Sequence, residues 1–186
     1  MKKFVHAALI ASGLALAASG ASAGAIVTDQ WYEFRFGAAG TFADTCVGYG
    51  CVPTAAPTTY ADVPPWTFTS PTEGSVFTVT DAFLHVDRFE IFDFGVSLGL
   101  TSLESGSGTC GDDPVTCLGD ANASSGVFNF GAGAHEITIK AVDSGAGGGA
   151  AYFLLANAVP EPATWGLMIL GFAGLGFARR RSLVRA

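Results

Sequence analysis

Positive charge is nearly missing from the middle of this 186-residue chain. Between residues 24 and 158 only Arg35, Arg88 and Lys140 stand against fifteen Asp and Glu, a net charge of −12. Phosphate binding needs clustered cations, so nucleic acid is excluded as an expected partner. Such an acidic surface favours solubility instead. Catalytic signatures are also scarce. Neither a Gly-x-Ser-x-Gly nor a His-Glu-x-x-His pattern is expected to mark a catalytic site, and apart from His6 the only histidines are His85 and His135. Each falls in or beside an expected strand and reads as structural. Glu136, the acid next to His135, would lie on the opposite face of a strand. Sustained helical periodicity is absent from the middle of the chain as well.

Four cysteines are present, Cys46, Cys51, Cys110 and Cys117, and they allow three pairings. Their spacings lack the paired two-residue knuckles of zinc sites, so no metal and no cofactor is expected. Bridges Cys46–Cys51 and Cys110–Cys117 are expected, because each pair lies in a Gly, Pro, Thr and Asp-rich segment able to fold back on itself. Loops this short would gain ~2 kcal/mol per bridge, enough to pin a loop but not to hold a fold. An even count of bridged cysteines suits an oxidising compartment.

The two ends say how the chain would reach that compartment. Lys2 and Lys3, the apolar stretch Ala7 to Ala18, and Ala21-Ser22-Ala23 occur in the order of a secretory signal peptide. Cleavage by signal peptidase after Ala23 would make Gly24 the first mature residue. At the other end Val159-Pro160-Glu161-Pro162-Ala163-Thr164-Trp165 precedes an apolar run from Gly166 to Ala178, closed by Arg179, Arg180 and Arg181. The division expected is residues 1–23 signal peptide, 24–158 exported domain and 159–186 sorting signal.

The carboxyl-terminal segment resembles the PEP-CTERM sorting domain in its Trp-containing form. The resemblance rests on Pro160, Glu161, Pro162 and Trp165, the apolar helix and the Arg triplet, all in order. The family usually has Ala then Met after the Trp, where this chain has Gly166 and Leu167. The resemblance implies a substrate of exosortase, an integral-membrane cysteine protease that acts at the Pro-Glu-Pro region. It further implies transient residence in the inner membrane and delivery to the cell envelope or extracellular matrix of biofilm-forming bacteria. A helix from Thr164 to Ala178 would span ~22 Å, short of the ~30 Å hydrocarbon core, which favours a transient over a permanent anchor. The Arg cluster would remain cytoplasmic.

Between the ends the pattern is that of strands. Gln30 to Phe36 is aromatic-rich, and Ser75 to Asp81 sets Phe77 and Val79 against Thr78 and Thr80. Val86 to Phe92 sets Phe89 and Ile91 against Arg88 and Glu90. The turn Asp93-Phe94-Gly95 then predicts a hairpin with the strand Gly95 to Thr101. Ile137, Ile139 and Ala141 alternate with polar residues, and Ala151 to Ala156 is apolar enough for burial on both faces. The glycine cluster Gly145 to Gly149 leads into that strand and not into a helix, so it reads as a flexible turn and not a phosphate cradle. The expected fold is an all-β antiparallel sandwich or jelly roll with one hydrophobic carboxyl-terminal helix. Val79 to Val96 and Gly131 to Ile139 are similar to hairpins of lectin-like jelly rolls.

Long loops from Ala38 to Pro65 and Ser102 to Ser125 are the expected site of any binding function. Asp81, Asp87 and Asp93 flank the strands around Phe89, while Asp112, Asp113 and Asp120 sit in the second cysteine loop. None matches the twelve-residue calcium loop, and solvated acids are the expected state. The expected function is that of a non-enzymatic envelope or matrix protein binding exopolysaccharide through loops and aromatics such as Trp31, Tyr60 or Trp66. The alternative is a secreted polysaccharide hydrolase using the loop carboxylates Asp112 or Asp113.

Overall fold

A computed structural model describes residues 24–49, 51, 58–105, 107–145 and 147–158. The signal peptide and the carboxyl-terminal helix expected from sequence lie outside these residues. Strands occupy β1 Gly24–Ala25, β2 Gln30–Phe36, β3 Asp44–Thr45, β4 Thr58–Tyr60, β5 Trp66–Ser70, β6 Ser75–Asp81 and β7 Phe83–Leu84. They continue with β8 Asp87–Asp93, β9 Val96–Leu100, β10 Thr109–Gly111, β11 Ser125–Phe130, β12 Gly133–Ser144 and β13 Gly149–Asn157. One short helix, α1 Pro114–Gly119, lies between β10 and β11.

A five-stranded sheet in the order β1-β5-β12-β8-β9 packs against a six-stranded sheet in the order β11-β6-β13-β2-β3, with β4 beside β2. The two share one core because the alternating residues of both inner faces are aromatic or branched. From one sheet come Tyr32, Phe34, Phe77, Val79 and Phe153; from the other come Trp66, Phe89, Ile91, Ile137 and Ile139. Phe34 is fully buried and joins the layers, its ring 5.7 Å from Trp66, 5.6 Å from Phe89 and 6.0 Å from Phe153.

The hairpin forms where the sequence predicts it. Asp93 pairs with Val96, leaving Phe94 and Gly95 as a two-residue loop. Both have positive φ, 47° and 76°, which matches the twist of the flanking strands. The glycine turn after β12 carries the chain from one sheet to the other. Gly148 has φ 137°, and a Cβ there would meet the Phe36 carbonyl at 2.8 Å, so glycine is required.

The structure departs from the expected pattern in three respects. The pairing is not wholly antiparallel, since β1 runs parallel to β5 and β4 parallel to β2. The first long loop is partly ordered into sheet: Gly40, Thr41 and Ala43 bond to Ile139 and Ala141, extending the edge of β12 beyond β5. The second loop contains β10 and α1. Asp113 caps α1 by accepting the Thr116 amide at 2.7 Å, and Pro114 opens its first turn. Asp-Pro is a helix-start signal, but six residues are too few to show a helical period.

Candidate functional site

The two disulfides form as expected, Cys46–Cys51 and Cys110–Cys117. The Cys46–Cys51 loop is held over the outer face of β2 by Arg35. That guanidinium bonds Asp44 at 2.6 Å and the Thr45 carbonyl at 3.1 Å, and lies 3.8 Å above the Tyr49 ring. The Thr45 amide, the Arg35 contact and the Arg35 charge outweigh partial desolvation and hold Asp44 below the usual carboxylate range. Arg88 in turn donates to the Thr101 carbonyl. Two of the three Lys and Arg between residues 24 and 158 are thus engaged within the fold.

Beneath the same loop, Glu33 is completely buried and neither carboxylate oxygen has a hydrogen-bond partner. Burial pushes its pKa up to about 7. Tyr152 of β13 stands opposite it in the β2–β13 ladder; burial and the Glu33 charge raise that phenol far above its ordinary value. The Glu33 carboxylate and the sulfurs of Cys46 and Cys51 lie within 4.8 Å of one another. The bridge leaves those sulfurs without the thiolate that binds metal.

A second group of acids meets at one end of the sandwich. Asp81, at the end of β6, accepts the Ala82 amide at 2.8 Å and the Asp87 amide at 3.3 Å. It is fully buried, and burial together with the Asp87 charge raises its pKa to about 8. Asp87 opens β8 and is also buried. Desolvation raises its pKa, the Ser144 hydroxyl opposes the rise, and the Glu104 charge adds to it. His85, Glu104, Asp143, Ser144 and Gly145 line the adjoining cleft. His85 Nε2 approaches Asp120 Oδ2 at 3.1 Å, close enough for ion pairing but too poorly aligned for a hydrogen bond. The solvated state expected for these acids is therefore wrong for Asp81 and Asp87. Their burial follows from strand ends folding together, which acidic composition does not reveal.

The other acids do structural work. Asp93 bonds His135 Nδ1 at 2.8 Å and the Glu136 amide at 3.1 Å, while His135 Nε2 meets the Gly131 carbonyl at 3.0 Å. Asp113 caps α1, and Asp120 holds the Asn122 amide at 2.9 Å. Asp112 contributes its backbone carbonyl to Tyr152. Gly95-Val96-Ser97-Leu98-Gly99 has the Gly-x-Ser-x-Gly spacing, which corrects the expectation that no such pattern is present. Here it lies in an edge strand, not on a strand-to-helix elbow, and Ser97 donates to Glu90 at 2.6 Å. Both nitrogens of His135 are engaged elsewhere, with Asp93 and the Gly131 carbonyl, so that imidazole does not serve Ser97 as a base.

Trp66, expected among exposed aromatics, is fully buried, with its indole N–H donated to the Asp62 carbonyl at 2.8 Å. Trp31 is half-buried and Tyr60 is exposed. The aromatic pair most open to solvent is one the sequence reading did not single out. Phe42 is 57% exposed, and its ring lies 5.9 Å from Phe92 on the outer face of the five-stranded sheet. Lys140, the backbone partner of Phe42, also pairs with Glu90, and Thr138 pairs with Phe92. The signal missed was Phe92 itself, an aromatic on the polar side of the alternation in β8.

Residues 158–182 match the PEP-CTERM protein-sorting motif. No curated protein and no solved structure matches the chain. The motif implies exosortase-dependent processing and export to the cell envelope or extracellular surface. Pro160, Glu161, Pro162, Trp165 and Arg179 to Arg181 fall within the matched span but outside the described residues, and Ala21 and Ala23 also lie outside the described residues. Gly24 begins β1 and donates its amide to the Val63 and Pro65 carbonyls. Among the described residues no helix is long and apolar enough to cross a membrane.

Proposed function

We propose that this is a non-enzymatic envelope or matrix protein whose sandwich binds polysaccharide on the outer face of the five-stranded sheet. The Phe42–Phe92 pair carries this reading. A sugar ring presents apolar C–H groups on one face and hydroxyls at its rim. Two adjacent aromatic rings flanked by Glu90, Thr138 and Lys140 offer the complementary arrangement. The same reading takes the sandwich as a lectin-like jelly roll and Gly24 as the mature amino terminus. The sorting motif supports the setting. It starts one residue after β13 ends, so cleavage near Pro160-Glu161-Pro162 leaves every described strand intact.

The hydrolase reading is weaker because Asp113 is occupied as a helix cap and Asp112 engages Tyr152 through its backbone. Retention of the purified protein on columns of extracellular polysaccharide tests the proposal. Wild type is expected to be retarded, and Phe42→Ala to lose about tenfold in affinity, the effect of removing one buried aromatic contact. Equal retention of the two proteins, or none by wild type, would sink it.

A further inference from the structure

Six buried side-chain atoms among the described residues lack a hydrogen-bond partner, and four of them gather in one place. They are His85 Nε2, Asp87 Oδ1, Glu104 Oε2 and Ser144 Oγ; the Ser144 hydroxyl lies close enough to Asp87 to oppose the rise in its pKa but without the geometry of a hydrogen bond. His85, Glu104 and Ser144 line a single cleft, and Asp87 pairs with Ser144 across the β8–β12 ladder. Asp87 is 4% exposed, and it feels the charge of Glu104 on one side while Asp81 feels its charge on the other. A buried carboxylate oxygen without a partner is expensive, and two such groups close together repel. No Lys or Arg offsets them: the ion pairs among the described residues are Arg35–Asp44, His85–Asp120 and His135–Asp93.

We propose that Asp87, Glu104 and Ser144 form a binding site for a hard divalent cation of the calcium class. The free donors other than the imidazole are all oxygens, which suits calcium and disfavours zinc or copper. They come from the start of β8, the segment after β9 and the end of β12, an irregular set that fits the flexible coordination of calcium better than the strict octahedron of magnesium. His85, turned toward Asp120, borders the site. A bound cation ties three separated segments together, so it acts as a clasp on this end of the sandwich.

Calcium chloride titrated into the full chain in mild detergent tests this by calorimetry, alongside thermal melting in EDTA. One cation per chain is expected, with the melting midpoint rising by roughly 5 °C at saturation. Asp87→Asn and Glu104→Gln should each abolish the heat and the shift. In EDTA both should melt at or above the wild-type midpoint, because each removes a buried charge. No heat and no shift with wild type would overturn the site. So would a shift that persists in both variants, or an equal shift from magnesium chloride or from sodium chloride at matched ionic strength.

Discussion

Replacing Glu33 with Gln probes how the cysteine loop seals the outer face of the six-stranded sheet. The carboxyl is fully buried, unpartnered, and pushed by burial from 4.5 up to about 7. Because the folded chain holds this proton more tightly than the unfolded one, its stabilising effect is full below about pH 4.5. It is lost as pH rises through about 7. The difference between those two values corresponds to about 3 kcal/mol. Gln keeps the size and removes the titration. Urea unfolding of both proteins, followed by Trp fluorescence at pH 4, 6 and 8, separates this term from all other groups, since those titrate alike in the two chains. The stability of Glu33→Gln relative to wild type should improve by about 3 kcal/mol between pH 4 and pH 8. A difference that stays constant with pH would refute the reasoning. It would mean that water reaches the carboxylate and that the Cys46–Cys51 loop does not seal it.

Two further expectations concern packing. Phe34→Ala removes the ring that touches Trp66, Phe89 and Phe153 and should cost about 3–5 kcal/mol in the same urea assay. Phe42→Ala, at a site 57% exposed, should cost less than about 1 kcal/mol. Its loss of polysaccharide retention should therefore occur in a protein that unfolds at nearly the wild-type urea midpoint.

Much of the sandwich was legible because alternation is a local signal. β2 matches the stretch read from its aromatic residues and β6 the one read from alternation, and the hairpin forms at the Asp93-Phe94-Gly95 turn that predicts it. The short disulfides were legible for the same reason, since both partners lie in one loop. Burial by distant segments was not. Glu33 occupies an outward position on β2, yet a loop pinned by Arg35 and Cys46–Cys51 covers it. Asp87 reads as a polar strand end, but Asp81, Glu104 and Ser144 are brought to it only by tertiary folding. The exposed ring of Phe42 was hidden inside a loop whose backbone joins β12 as an additional edge. Trp66 shows the converse, a lone aromatic beside Pro64-Pro65 that folding carries into the core.

The central claim is that the sandwich is cargo delivered by its carboxyl-terminal segment. Intact mass of the mature protein recovered from cells tests it most directly. The account predicts a chain that starts at Gly24 and has lost the Arg179-Arg180-Arg181 end through cleavage near Pro160-Glu161-Pro162. A mature protein that still extends to Ala186 would contradict it.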